Sequence, residues 1–261
     1  MQMTQDELKV MVAKAALEYI PKNAVLGVGS GSTVMKFIEQ IGLNKVPVAA
    51  AVSSSNKTTE ALTKIGVKVV DPNKTEPYEV YIDGADEVDP NFNMIKGGGA
   101  CLTREKILTS MASKFICIVD KSKLVECLGK FPLPVEVIPM AREQVARTLR
   151  TFGGDPVLRK DCITDNGCEI LDVHGLHITD PVALEQKINQ IPGVVTVGLF
   201  ASKGADIVLY ATEEGVKVLK RNLSFKLFLS KLRSSFLSLI SIPITYLSSI
   251  LSYSVKKLNY H

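Results

Sequence analysis

The chain has 261 residues, 46% of them hydrophobic and 22% charged, an ordinary globular composition that can build one large or two small domains around a sizeable core. Its formal charge of +4 would admit a nucleic-acid partner, but Lys226, Lys231, Arg233, Lys256 and Lys257 account for it; without these five, 26 basic residues face 27 acidic ones, a balance of −1. The body therefore carries no basic bias toward nucleic acid.

Thr4 and Glu7 have the spacing of a capping box, and Leu8, Met11, Val12, Ala15 and Tyr19 follow at helical intervals, which predicts an amphipathic first helix. That same start is polar and acidic rather than basic and then apolar, which argues against a secretory signal. A short apolar strand over Ala24–Gly29 leads into Gly29-Ser30-Gly31-Ser32-Thr33 and a helical pattern that ends at Gly42. The turn fails as a dinucleotide fingerprint because Ser32 stands at its third glycine position, and it fails as a Walker loop because Gly31 is followed by Ser-Thr rather than Lys. It remains either a cradle for a phosphate or polyhydroxyl group at a helix N-terminus or a plain capped turn. A strand over Val48–Ser53, a helix over Lys57–Ile65 and a strand over Val67–Val70 continue the alternation expected of a parallel sheet covered by helices on both faces.

Val80 to Lys106 holds the densest chemistry. Val80, Tyr81 and Ile82 read as a buried strand, so Asp83-Gly84-Ala85-Asp86 falls at its carboxyl end, where open α/β sheets bind ligands. Lys96 precedes Gly97-Gly98-Gly99, a run that lets backbone approach a ligand, and Thr103 is placed to N-cap a helix with Glu105 in its first turn. The helix dipole and the nearby lysine are expected to keep Glu105 ionised. A carboxylate base, a lysine for developing oxyanion charge and a second acid to move hydroxyl protons suit proton abstraction beside a carbonyl. Further on, Phe115–Val119 reads as a buried strand ending at Asp120, with Lys121 and Lys123 beyond it. Phe131-Pro132-Leu133-Pro134 reads as a stiff connection out of the first domain. After it come a helix over Arg142–Phe152, a hairpin over Asp161–Val173 turning at Asn166-Gly167, a helix over Pro181–Gln190 and a strand over Val194–Phe200. His174 and His177 lack a third ligand in a matching motif, so no metal is expected, and five cysteines without zinc-type spacing read as reduced thiols of a cytoplasmic protein.

IDGADEVDP and IKGGGACLTREKI resemble the two signature blocks of type A ribose-5-phosphate isomerases. The resemblance extends to GVGSGSTV, AVSSS, KFPLPVEVIPMA, LDVHG and IPGVVTVGLFA, and runs from Met3 to about Arg221. It implies an isomerase that interconverts D-ribose 5-phosphate and D-ribulose 5-phosphate without a cofactor, as a homodimer or homotetramer. The implied fold is an open, mostly parallel Rossmann-like sheet over residues 1–130 and 200–221, with a smaller α+β domain over 131–199. Glu105 becomes the base, Lys96 and the Gly97, Gly98 and Gly99 amides stabilise an enediolate, and Asp83 and Asp86, with Gly84 and Ala85 between them, bind hydroxyls and assist ring opening. Ser30, Gly31, Ser32, Thr33 and Lys123 complete the sugar phosphate site. A non-catalytic sugar-phosphate sensor, or an isomerase of another phosphorylated aldose, are the alternatives. Residues 222–261 depart from the family: their apolar, serine-rich composition approaches a membrane span but is interrupted by Pro243, and translation past the usual stop or through a frameshift accounts for it better than an anchor does.

Overall fold

The computed structural model describes residues 3–221, and the expected tail over 222–261 lies outside them. In chain order the elements are α1 (Gln5–Ala16), β1 (Val25–Val28), α2 (Ser32–Leu43), β2 (Ala50–Ser53), α3 (Asn56–Lys64), β3 (Tyr78–Asp83), β4 (Glu87–Val88), β5 (Met94–Ile95), α4 (Leu102–Met111) and β6 (Ala112–Asp120). They continue with β7 (Leu133–Val137), α5 (Arg142–Arg150), β8 (Asp155–Leu158), β9 (Glu169–His174), α6 (Pro181–Asn189), β10 (Val194–Val197), β11 (Leu199–Phe200), β12 (Ile207–Thr212) and β13 (Gly215–Lys220).

The main sheet has the order β13-β12-β6-β3-β1-β2, parallel throughout except for the β12–β13 hairpin. From β1 the chain steps outward to β2 and then returns to the opposite side of β1 as β3. The connections that leave the carboxyl ends of β1 and β3 run in opposite directions, the first toward β2 and the second toward β6, and open a crevice between them, the topological switch point at which such sheets bind ligands.

Strand alternation decides what each face buries. Val80 and Ile82 of β3, with Ile116 and Ile118 of β6, face α1 and α2, where Val12, Ala16, Phe37 and Ile41 close the core. Tyr81 of β3 and Phe115, Cys117 and Val119 of β6 face the other way, onto Leu102 and Leu108 of α4. Each large side chain fully buried in this way contributes roughly 1.5–3 kcal/mol. The capping box of α1 forms as expected, with the Glu7 amide donating to Thr4 Oγ1 at 3.2 Å and the Thr4 amide to Glu7 Oε2 at 2.7 Å. Two smaller antiparallel sheets, β10-β7-β9-β8 and β11-β5-β4, complete the structure, the first packed on α5 and α6 through Val145, Leu149 and Ile188. No helix among the described residues is long and apolar enough to cross a membrane.

Several expected elements are displaced. Val67–Val70 makes only one bridge, Ala51 to Val69, because the chain turns away toward Pro72 before a ladder can grow. The proline-rich stretch is no linker: Leu133–Val137 is the fully buried β7, and the carbonyl of Pro134 accepts from Gly198 N at 2.7 Å. The hairpin partner of β9 is β8, with residues 164–168 forming a turn outside either strand. The expected strand over Val194–Phe200 splits at Gly198, its first half pairing with β7 and its second with β5.

Gly198 sits where those sheets meet, accepting from Lys96 N at 2.8 Å while donating to Pro134. A Cβ there would lie 2.2 Å from the Lys96 carbonyl oxygen and 3.0 Å from Pro134. Gly198→Ala is therefore expected to destabilise the fold by roughly 1–3 kcal/mol, read as a melting temperature lowered by several degrees; an unchanged melting curve would show that the junction can spread.

Candidate active site

The switch point gathers side chains from three strand ends. β1 runs out into Gly29–Thr33, β3 into Asp83–Asp86 and β6 into Asp120 and the turn over Lys121–Lys123. Lys96 follows β5 directly, and Glu105 lies in the first turn of α4. Together they border a cavity of about 250 Å³ lined by Ser30, Gly31, Ser32, Thr33, Gly84, Ala85, Asp86, Lys96, Gly97, Gly98, Gly99, Glu105, Val119, Asp120 and Lys123, with Gln5 and Lys9 of α1 closing one side.

Of the expected site residues, Asp83 alone does not reach the cavity wall. It is fully buried just behind it. Its Oδ1 accepts from the amides of Ser30 at 3.0 Å and Gly84 at 2.7 Å, and its Oδ2 from the hydroxyl of Tyr81 at 2.6 Å. Tyr81 can do this because residues two apart in a strand share a face. The approach of β1 to Asp83 needs glycine at position 29, where a Cβ would lie 1.9 Å from the Asp83 carboxyl carbon.

Asp83 in turn holds Lys96, whose Nζ lies 2.7 Å from Asp83 Oδ2 and donates to Gly84 O at 2.6 Å. The same ammonium stands 3.1 Å from Glu105 Oε2. Burial works against the charge on Lys96, yet Asp83 and Glu105 more than offset it and hold its pKa above the usual lysine range, so it remains an ammonium. Glu105 differs from expectation. Burial first, and the charge of Asp83 second, push its pKa up to about 7, and Lys96 and Ser30 offset only part of this. A lysine shared with a second buried carboxylate does not fully offset the burial of Glu105. Ser30 Oγ donates to Glu105 Oε1 at 2.5 Å, whereas Oε2, although near Lys96, is buried without a hydrogen-bond partner among the described residues.

Asp86 takes the Gly98 amide on Oδ2 at 2.8 Å. Burial raises its pKa, partly offset by that amide and by Lys96, Lys123 and Arg159. The cap of α4 is also not the expected one: Cys101 is the N-cap residue, and the Thr103 hydroxyl instead donates to buried Glu136 of β7, which accepts from Thr164 Oγ1 at 2.7 Å and Asn166 Nδ2 at 3.0 Å as well. The first turn that carries Glu105 is thus tied to the smaller sheet.

Gln5, Lys9, Tyr81 and Asp120 were not anticipated. Lys9 has the sequence character of any solvated lysine on a polar helix face, and only the lie of α1 across the sheet edge brings it to the cavity. Asp120 had a signal, an acid at the carboxyl end of a buried strand like Asp83.

A sequence profile of the ribose 5-phosphate isomerase A (phosphoriboisomerase A) family matches residues 50–215. Among solved structures, ribose 5-phosphate isomerase A from Neisseria gonorrhoeae is 46% identical, with a TM-score of 0.84 over 85% of this chain and all of that one. A D-ribose-5-phosphate isomerase in complex with phospho-erythronic acid is 40% identical, with a TM-score of 0.80 over 84% of this chain and all of its own. The Plasmodium falciparum ribose 5-phosphate isomerase is 32% identical, with a TM-score of 0.78 over 82% of this chain and 98% of its own. The buried Asp83–Lys96–Glu105 cluster at the switch point thus lies in a chain that belongs to the ribose 5-phosphate isomerase A family.

Proposed function

We propose that this enzyme, which interconverts D-ribose 5-phosphate and D-ribulose 5-phosphate, does so with Glu105 as the base that carries the proton between C2 and C1. The observation that supports this reading is Glu105 itself: a buried carboxylate pushed up to a pKa of about 7, whose Oε2 has the Lys96 ammonium at 3.1 Å and no aligned hydrogen-bond partner among the described residues. A base poised near neutrality can both take and return a proton. With the sugar in its open-chain form, Glu105 removes the C2 proton, the C2–H electron pair forms the C1–C2 double bond, and the carbonyl electrons move onto O1. Reprotonation at C1, with a proton passing from the C2 hydroxyl to the C1 oxygen, gives the ketose. Lys96 and the amides of the Gly97–Gly99 loop offset the enediolate charge, a stabilisation that operates without solvent reorganisation. Asp86, on the cavity wall, is the carboxylate that accepts and passes on hydroxyl protons and assists ring opening. Asp83 supports that step from behind the wall while fixing Lys96.

The Ser30–Thr33 turn leads into the N-terminus of α2, and Lys9 and Lys123 also border the cavity, a combination suited to the 5-phosphate. The related isomerase in complex with phospho-erythronic acid supports a phosphorylated small molecule as the ligand. We assign the reaction no cofactor, because the proton transfer and the charge stabilisation are both supplied by side chains and amides already named. The five thiols, all free, fit a reducing cytoplasm. Membership of the family is what supports proposing a homodimer or homotetramer.

Glu105→Gln keeps the shape and removes the base, so turnover of ribose 5-phosphate is expected to fall by about 10²–10⁴-fold or more with KM largely preserved; near-normal kcat would exclude Glu105 as the base. Lys96→Ala is expected to lower kcat more than it raises KM, since its charge matters most once the enediolate forms, and a change confined to KM would contradict that role. The base must be ionised to act. A raised carboxylate pKa places its loss of activity on the acid side, so kcat/KM is expected to fall as pH drops through about 7. A profile flat down to pH values near the ordinary carboxylate range would rule that out.

A further inference from the structure

The glycine loop has a support outside the residues that surround the cavity. Arg159, immediately after β8, donates from Nε and Nη2 to Asp172 of β9 at 2.8 and 2.6 Å, and from Nη1 to the carbonyl oxygens of Gly97 and Gly98 at 3.0 and 3.1 Å. Both members of the Arg159–Asp172 pair are largely buried, with 19% of each side chain exposed.

A trans peptide points its C=O and its N–H in opposite directions. Holding Gly97 O therefore turns the Gly98 N–H away from Arg159, and that N–H donates to Asp86 Oδ2. Holding Gly98 O turns the Gly99 N–H away in the same manner, from a loop whose other side borders the cavity. Three successive glycines have more backbone freedom than any other run, and leaving it unrestrained would blur both amides. A guanidinium clamped through two nitrogens by a carboxylate is a rigid donor, and its planar fork is what a lysine cannot reproduce.

We propose that Arg159 is a positioning residue for the isomerisation: by holding the Gly97 and Gly98 carbonyls it fixes the loop amides and Asp86 in the geometry the enediolate requires. The inference rests on the assignment of Asp86 and the glycine loop to the reacting site. Arg159 also faces Asp86 electrostatically, together with Lys96, Lys123 and the Gly98 amide.

The test compares Arg159→Ala and Arg159→Lys with the unaltered enzyme and with Glu105→Gln, measuring kcat, KM, their pH profiles and melting temperature with ribose 5-phosphate. Both Arg159 variants are expected to lose roughly 10- to 100-fold in kcat, the effect of a slightly misplaced site, with smaller changes in KM. Protonation of Asp86 is expected to add a second acid-side loss of rate to the limb set by Glu105, steepening the fall. Arg159→Ala is expected to move that steepening to higher pH, while Arg159→Lys, which keeps the charge, leaves it in place. Low concentrations of guanidinium are expected to restore part of the Arg159→Ala rate. Normal kcat in both variants overturns the proposal. So does a rate loss that only tracks a lowered melting temperature, with no pH shift and no rescue. If Glu105→Gln still turns over, the underlying site assignment is what fails.

Discussion

One ammonium group sits between two buried carboxylates, and most of the site follows from that imbalance. Lys96 compensates Asp83 at 2.7 Å and Glu105 at 3.1 Å, but a single positive charge cannot neutralise two negative ones. Asp83 has four donors and Glu105 Oε2 has none that is aligned, so the residual cost of burial falls on Glu105. Burying a carboxylate without full compensation is expensive for folding. In this chain the expense is concentrated on one atom at the edge of a cavity, where it becomes basicity.

The arrangement depends on close backbone approach as much as on charge. β1 can lie against Asp83 because position 29 carries no side chain, and the Ser30 amide is then within reach of the carboxylate. Tyr81 reaches Asp83 because strand geometry places both on the face that α4 covers. The smaller sheet contributes without touching the cavity: Glu136 anchors the turn before Glu105 through Thr103, and Arg159 grips the carbonyls of the glycine loop.

Much of this was legible in the sequence because the chemistry is contiguous. Asp83, Asp86, Lys96, the three glycines and Glu105 fall within one stretch of residues 83–105, and strand alternation with helical spacing predicted the parallel sheet around them. What escaped depends on three-dimensional neighbours. Lys9 and Arg159 are ordinary charged residues until α1 and β8 are placed beside the site. Pro134 looked like a strand breaker, yet it tolerates a central strand because its carbonyl is still used and its missing N–H leaves no buried donor unpaired. The ionisation of Glu105 was misjudged because the dipole and the lysine are visible in sequence, whereas desolvation and the neighbouring Asp83 charge are properties of the folded interior.

The split of one extended run at Gly198 has a mechanical meaning. β10 belongs to one sheet and β11 to another, and the residue between them bonds both the main chain of Lys96 and that of Pro134. Prying the two sheets apart would strain both bonds and with them the main chain that carries the Lys96 amine. The two sheets are thus stitched through one residue, and a shift of either is passed along the main chain to the wall of the cavity.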